Sequence, residues 1–130
     1  MIDKLSDENI VLFRQIHPSF IQDGIPTSQS FVPTPKDEGK LSVDQSNLVS
    51  AEIAFNQYIG KGRQSTAVYG VSVFEFGVQS IDCFPDPIET LEEVNHSHAY
   101  ANYAPYLNNE QKNKAKRIKQ NALARGRLHP

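Results

Sequence analysis

The sequence predicts an α+β domain with a small, mainly antiparallel sheet, one internal helix and a basic C-terminal helix. Residues 66–78 (TAVYGVSVFEFGV) form the longest run of β-branched and aromatic residues, which favour strands. Apolar residues then recur at helical spacing after Ser50, and lysines recur through residues 110–125. Together these observations predict a sheet with two helices packed around it.

Residues 66–78 are the stretch around which we expect the rest of the chain to pack. Apolar side chains fall on both faces of this segment, which is typical of an interior strand covered on both sides. Gly70 indicates a close backbone approach or a bulge. We place Glu75 where this strand leaves the core.

The N-terminal half is predicted to contain short strands and turns. Residues 1–8 are polar and expected to be flexible, and residues 10–17 form a strand that ends before a proline. Asp23-Gly24 indicates a turn. Residues 28–32 and 41–43 are predicted to be two short strands around a proline-rich loop.

The internal helix is predicted to run from a Ser50 cap to Gly60 as its C-terminal stop. After the central run, residues 82–87 indicate a loop, and residues 88–94 a short helix or a turn. The alternating residues 96–103 (HSHAYANY) predict a further strand.

The final helix is predicted over residues 110–125, within a C-terminal helical segment at residues 109–126. Asn108 or Asn109 is the expected cap, and Gly126 the expected stop.

Length and composition exclude several classes of protein, among them membrane-spanning and disulfide-bonded proteins. Its 130 residues predict one domain, residues 1–130, and no apolar run is long enough to span a membrane. Nothing at the N-terminus reads as a hydrophobic signal segment. The single cysteine, Cys83, excludes an internal disulfide and fits a cytoplasmic location.

Charge is distributed unevenly along the chain. Residues 1–109 contain 6 Lys/Arg and 14 Asp/Glu, a net charge of −8, whereas residues 110–130 contain 7 Lys/Arg and 1 Asp/Glu, a net charge of +6. An acidic body with a basic helix predicts contact with an acidic protein. Lys112, Lys116 and Lys119 share one helix face and are the expected contact residues.

The same basic helix supports a nucleic-acid hypothesis, in which Lys114 and Arg117 join those three lysines. No aromatic residue alternates with the lysines, and the pI is near 6.1, so an acidic protein is the preferred partner.

His96 and His98 are candidates for a metal site because alternate residues of a strand point the same way. The third and fourth ligands would come from His17, Asp82, Cys83 or Asp86, and none of these has the spacing of a known zinc pattern. We therefore expect no metal.

Arg14, Ser42 and Glu52 are candidates for a catalytic group. The arginine fork can hold a diphosphate, and a carboxylate can stabilise positive charge that develops on a sugar carbon. The alternative is that these residues serve as an ion-pair partner, a strand hydroxyl and an anion at a helix N-terminus.

Residues 13–44 (FRQIHPSFIQDGIPTSQSFVPTPKDEGKLSVD), followed by a capped helix, resemble a group of small, uncharacterised bacterial proteins. The closing segment with Ala115, Ala122 and Ala124-Arg125-Gly126 is similar too. This resemblance implies a bacterial cytosolic protein and no particular activity.

The order Arg14, Ser42, Glu52, followed by residues 66–78, also resembles RES-type ADP-ribosyltransferase-like toxins. That resemblance implies that Arg14 and Ser42 bind NAD and that Glu52 assists glycosidic cleavage. The chain departs from those toxins in lacking a Gly-Arg-Trp-like segment.

Three hypotheses follow. The first is a cofactor-free protein that binds an acidic partner protein, in a bacterial defence or toxin–antitoxin locus. The second is an NAD-consuming enzyme that uses Arg14, Ser42 and Glu52. The third is a nucleic-acid-binding protein, so the sequence leaves open whether the protein is an enzyme.

Overall fold

The structure is a computed structural model that describes residues 2–130. Strands and helices follow one another in mixed order along the chain. The strands are β1 (Val11–Ile16), β2 (Ile21–Gln22), β3 (Ile25–Pro26), β4 (Lys40–Gln45), β5 (Ala67–Ser72), β6 (Asp82–Pro85), β7 (Ile88–Glu89), β8 (Val94–Asn95) and β9 (His98–Asn102). The helices are α1 (Ala51–Gly60), α2 (Val73–Val78) and α3 (Asn108–Arg125), and single 3₁₀ turns lie at Pro18–Phe20, Ser28–Phe31 and Pro35–Asp37.

Five strands form the main sheet, in the order β5-β1-β4-β9-β6, and every neighbouring pair is antiparallel. Two separate two-stranded hairpins, β2–β3 and β7–β8, lie outside it. The prediction of an α+β fold with a mainly antiparallel sheet is therefore confirmed.

The main core lies on one face of the sheet, beneath α2 and α3. Ala115, Ile118 and Ala122 of α3 pack with strand residues such as Leu12 and Val71. On the opposite face, α1 packs Ala54 over Phe13 and Val68 of β1 and β5. Three layers result, and α1 covers the β1–β5 side of this second face.

Residues 66–78 do not form one strand, so that prediction is wrong. β5 ends at Ser72, and α2 begins at the next residue. The Ser72 hydroxyl accepts a hydrogen bond from the Glu75 N–H at 3.0 Å, and a Glu75 carboxylate oxygen accepts one from the Ser72 N–H at 2.8 Å. This reciprocal capping box starts a helix where β propensity predicts a continuing strand.

The prediction of an interior strand is also wrong in one respect, because β5 lies at the end of the sheet. All six of its residues are nevertheless buried. The C-terminal tail partly covers its free edge: the Leu128 N–H donates to the Val68 carbonyl at 2.9 Å, and the Val68 N–H donates to the His129 carbonyl at 2.7 Å. A Cβ at Gly70 would lie 2.6 Å from Val11 Cγ1, so the close neighbour at this glycine is a side chain, where a backbone approach or a bulge was predicted.

The predicted strand at residues 28–32 is instead the 3₁₀ turn Ser28–Phe31, and the predicted strand at residues 41–43 is confirmed as part of β4. Ser-Gln-Ser has no apolar alternation that a sheet could bury on one face. One turn is enough to place Phe31 in the core, where it is fully buried.

Residues 82–87 were predicted to be a loop, but β6 occupies residues 82–85. Pro85 is compatible with this strand because β6 lies at an edge of the sheet, where an N–H is not needed for pairing. Residues 88–94 form neither a helix nor a bare turn: they contain β7 and the start of β8, which pair as a hairpin.

The strand predicted at residues 96–103 is β9, which begins at His98, two residues later than predicted, because His96 lies in the preceding turn. The last helix is confirmed, but Asn108 and Asn109 are both inside it. The cap position is Leu107, whose side chain cannot accept a hydrogen bond, so the prediction of an asparagine cap is wrong. Glu110 instead accepts a hydrogen bond from the Leu107 N–H at 3.0 Å.

Several local predictions are confirmed. β1 coincides with the first predicted strand, Gly24 has the positive φ of a turn residue, and Ser50 caps α1 by accepting from the Ile53 N–H at 3.1 Å. Within the described part of residues 1–8, the Leu5 N–H donates to the Cys83 carbonyl at 2.8 Å. Met1 lies outside the described residues.

We expect Ser72→Ala to lower the free energy of unfolding by about 1 kcal/mol, the usual cost of losing a helix cap. Urea denaturation of the variant measures this loss. Ser6→Ala is the control, because Ser6 is exposed and outside any helix. Equal stability of the two variants would contradict the assigned role of Ser72.

Candidate functional site

Arg14 lies where β1 and β4 part. The paired register of these strands covers only Leu12 with Gln45 and Phe13 with Asp44. Beyond it, the Arg14 Nε donates to the Ser30 carbonyl at 2.8 Å, and Nη1 donates to the Ser42 carbonyl at 3.0 Å. The guanidinium therefore satisfies one carbonyl of β4 beyond its pairing with β1 and one carbonyl of the 3₁₀ turn at Ser28–Phe31.

A cleft of about 500 Å³ opens at this split. Its walls come from β1, β4, the C-terminal end of α1 and the β7–β8 hairpin. The lining includes Arg14, Gln15, Ser42, Tyr58, Arg63 and His98. Two of the three predicted catalytic residues, Arg14 and Ser42, therefore meet in one concave site.

Glu52, the third predicted catalytic residue, does not line this cleft. It is exposed in the first turn of α1, whereas Tyr58 of the same helix reaches the cleft six residues later. That separation is roughly 9 Å along the helix axis. The structure thus brings Arg14 and Ser42 together without the carboxylate that NAD cleavage was predicted to use.

Asp44 is the carboxylate that fixes the floor of the cleft. Its Oδ1 accepts a hydrogen bond from Asn95 Nδ2 at 2.9 Å and another from the Ser97 hydroxyl at 3.0 Å. These bonds tie β4 to the end of the β7–β8 hairpin. The Asp44 carboxylate is therefore already used in holding the wall of the cleft.

Glu93 fastens the same hairpin to the loop after α1. Arg63 donates to both Glu93 carboxylate oxygens, at 3.1 and 3.0 Å, and Lys61 donates to Oε2 at 2.8 Å. These hydrogen bonds hold the pKa of Glu93 at about 2, below its ordinary value of 4.5. Arg63 is consequently occupied by a protein carboxylate.

The two predicted metal-binding histidines point to different partners. His96 Nε2 lies 3.2 Å from Glu89, and His98 Nδ1 lies 2.9 Å from the Asp86 carbonyl. Within residues 2–130, no group of three or more His, Cys, Asp or Glu side chains could hold a metal ion. Cys83 is buried, and burial raises the pKa of its thiol to about 12, which disfavours the thiolate that binds metals.

The cations of α3 have few acidic partners. Arg125 pairs with Glu75 at 2.6 Å. Lys114 donates to the Gln79 carbonyl at 2.6 Å, and Arg117 donates to the Gln79 side chain at 3.3 Å. Lys112, Lys116 and Lys119, the predicted contact residues, form no ion pair with any residue from 2 to 130.

A second concave surface, which we call the α2–α3 groove, has a volume of about 670 Å³. Phe74 and Val78 of α2 are 54% and 62% exposed there. The groove is lined by Glu8, Asn9, Val11, Ser72, Phe74, Glu75, Val78, Gln79, Arg117, Gln120, Asn121 and Arg125.

Four residues that line the α2–α3 groove or the cleft were not predicted from the sequence to belong to a site. Phe74 and Val78 were assigned to a buried strand, and the signal that places them on a helix is the Ser-x-x-Glu pattern at Ser72. Gln15 and Tyr58 of the cleft had no local signal, since only the folded chain brings them beside Arg14.

No protein-family model matches the chain, and searches of curated proteins and of solved structures likewise found no match. The resemblances to small bacterial proteins and to RES-type toxins therefore stay predictions, as do the cytoplasmic location and the defence or toxin–antitoxin locus. Among residues 2–130, no helix combines the length and apolar character needed to cross a membrane.

We expect Glu93→Gln to destabilise the protein at neutral pH, and the effect to shrink as the pH falls from about 4.5 towards 2. The reason is that a carboxylate with a lowered folded pKa adds stability above its unfolded pKa and loses it on protonation. Urea unfolding of both proteins across this pH range measures the difference. Glu92→Gln, an exposed neighbour, is the control, and an effect of Glu93→Gln that is the same at pH 3 and pH 7 would contradict the assignment.

Proposed function

We propose that this protein works by binding another protein, and that the partner presents an acidic, partly apolar segment to α3 and the α2–α3 groove. One observation carries the proposal. Five of the six Lys and Arg residues of α3 have no carboxylate partner within residues 2–130. The helix therefore presents positive charge that an acidic surface would complement.

Phe74 and Val78 give the groove exposed apolar surface, which a partner could bury in addition to pairing its charges. Large apolar side chains at the centre of an interface contribute much of the binding free energy, and aromatic residues and arginine are enriched there. Phe74 lies in the same groove as Arg117. A partner segment with one large apolar residue beside Asp or Glu would match this pair.

In this proposal, attraction of the partner over a distance is assigned to the predicted contact residues, Lys112, Lys116 and Lys119. At about 100° per residue, they lie on one flank of α3, and Arg117 lies about 100° or more around the helix from each of them. Exposed lysines change association rates more than affinity. We propose that they attract the partner while the groove holds it.

The alternative prediction of NAD cleavage by Arg14, Ser42 and Glu52 gains no support from the geometry, because Glu52 is outside the cleft. Nucleic-acid binding shares the positive charge of α3 with our proposal. It differs in the chemistry of the ligand, so one experiment separates the two.

The test is selection of short random peptides on the immobilised protein. We expect enriched peptides to combine Asp or Glu with a large apolar residue. Phe74→Ser should weaken the best peptide more than about tenfold, or about 1.4 kcal/mol. Leu91→Ser, the same kind of change at a fully exposed position outside the groove, should leave affinity unchanged.

A charge pair refines the same test. Arg117→Glu should weaken the peptide more than Lys112→Glu, since only Arg117 lines the groove. Enrichment of no peptide, or of basic peptides, would contradict the proposal. If labelled oligo-dT bound instead, with an affinity that fell steeply with salt, the nucleic-acid hypothesis would replace it.

A further inference from the structure

The cleft at the β1–β4 split is separate from the α2–α3 groove and contains a charge that the fold leaves unbalanced. Arg14 donates only to two neutral backbone carbonyls. It forms no ion pair with any residue from 2 to 130. Burial lowers the pKa of Arg14, which shows that its positive charge is poorly solvated. A guanidinium has five N–H donors, so three remain for a ligand.

No carboxylate of the cleft forms an ion pair with Arg14, and Asp37 raises the Arg14 pKa only through space. Asp44 is bound by Asn95 and Ser97, and Glu93 is bound by Lys61 and Arg63. Asp37 accepts from the Thr34 N–H at 3.1 Å and from its hydroxyl. Each lining carboxylate thus accepts hydrogen bonds from another residue, and none of them accepts one from Arg14.

Gln15 provides a second, independent sign of a ligand. It is only 9% exposed, lines the cleft, and its Nε2 has no hydrogen-bond partner. Its Oε1 accepts from the Ser65 hydroxyl at 2.7 Å. Turning the amide over would pair Nε2 with Ser65 and leave Oε1 alone, so in either orientation one polar atom of a buried side chain is unpaired. An unpaired buried polar group destabilises the protein, and a ligand that forms the missing hydrogen bond would relieve that cost.

Two further side chains give the cleft directional chemistry. His98 Nδ1 lies 2.9 Å from the Asp86 carbonyl and 3.3 Å from the Asp86 carboxylate, so Asp86 holds the imidazole in place. Tyr58 adds an aromatic ring to the wall. The cleft therefore offers a cation, an amide, an imidazole and an aromatic ring.

From these contacts we propose that the cleft binds a small organic monocarboxylate, whose carboxylate accepts hydrogen bonds from the Arg14 guanidinium and from the Gln15 amide. A carboxylate suits the planar arginine fork. The ligand should have a single negative charge. Apart from Arg14, the lining contains two cations, Lys36 and Arg63, and three carboxylates, Asp37, Asp44 and Glu93, which gives a net charge of −1. That surplus disfavours a multiply charged phosphate. About 500 Å³ admits a small acid with an aromatic or branched body.

The test is an NMR titration of the ¹⁵N-labelled, unmodified protein with acetate, benzoate and inorganic phosphate. Concentrations up to about 10 mM would fill a site of Kd about 1 mM to roughly nine-tenths. We expect benzoate to shift the Arg14 Nε–H and Gln15 side-chain signals saturably, and acetate to do so more weakly. Phosphate should produce no saturable shift at these signals.

A matched pair of variants keeps the site assignment testable. Gln15→Leu should weaken benzoate at least about fivefold, whereas Gln22→Leu, at an exposed position on β2, should not change it. Truncation of Arg14 is avoided because its two carbonyl contacts support the fold. Arg14→Lys keeps the charge and loses the fork, and it should weaken benzoate.

Three results would overturn the proposal. The first is no saturable shift with any acid. The second is equal response to phosphate and benzoate that disappears with added NaCl, which would indicate adventitious anion binding. The third is a saturable shift confined to α3, which would place the anion on the basic helix. The first two results leave peptide binding at the α2–α3 groove untouched, whereas the third would be consistent with it.

Discussion

One carboxylate, that of Glu75, joins three elements of the fold. Its Oε1 accepts from the Ser72 N–H at 2.8 Å and from Arg125 Nη1 at 2.6 Å, and the same Arg125 nitrogen donates to the Gly70 carbonyl at 2.9 Å. Burial alone would raise the pKa of Glu75, but the hydrogen bonds from Arg125 and Ser72 outweigh it, and the pKa is lowered. The carboxylate therefore stays ionised near neutral pH and ends β5, begins α2 and fixes the last turn of α3.

The α2–α3 groove follows from this junction. Because α2 starts immediately after a buried strand, Val73 and Phe76 turn into the core, while Phe74 and Val78 turn outward. A strand through the same residues would have buried Phe74 with its alternate neighbours. Arg125 then holds the end of α3 against β5, so the positive helix lies beside the exposed apolar pair.

The sequence predicted the elements whose signals are local. The Ser50 cap, the glycine stop at Gly126 and the alternating segment before Tyr103 each act within a few residues, and each prediction was close. The failures arose where a local signal was overridden. Val73, Phe74 and Phe76 have high β propensity, yet a second local signal, the capping box between Ser72 and Glu75, starts a helix there.

The cleft was predictable only in part. Arg14, Ser42 and Glu52 were predicted together from side-chain chemistry and from their order in the chain. Arg14 and Ser42 do meet, but Glu52 does not join them. Gln15 could not be found from sequence, since its burial and its unpaired amide depend on Ser65, fifty residues away. Such long-range pairings are set by topology, and no periodic pattern in the chain records them.

The junction at Glu75 is tested most directly by a double-mutant cycle of Glu75→Gln and Arg125→Met, with the free energy of unfolding measured at neutral pH. Because the two side chains contact each other directly, their effects should not add. We expect a coupling energy of about 1 kcal/mol or more. Additivity within about 0.3–0.5 kcal/mol would show that the pair does not join β5, α2 and α3.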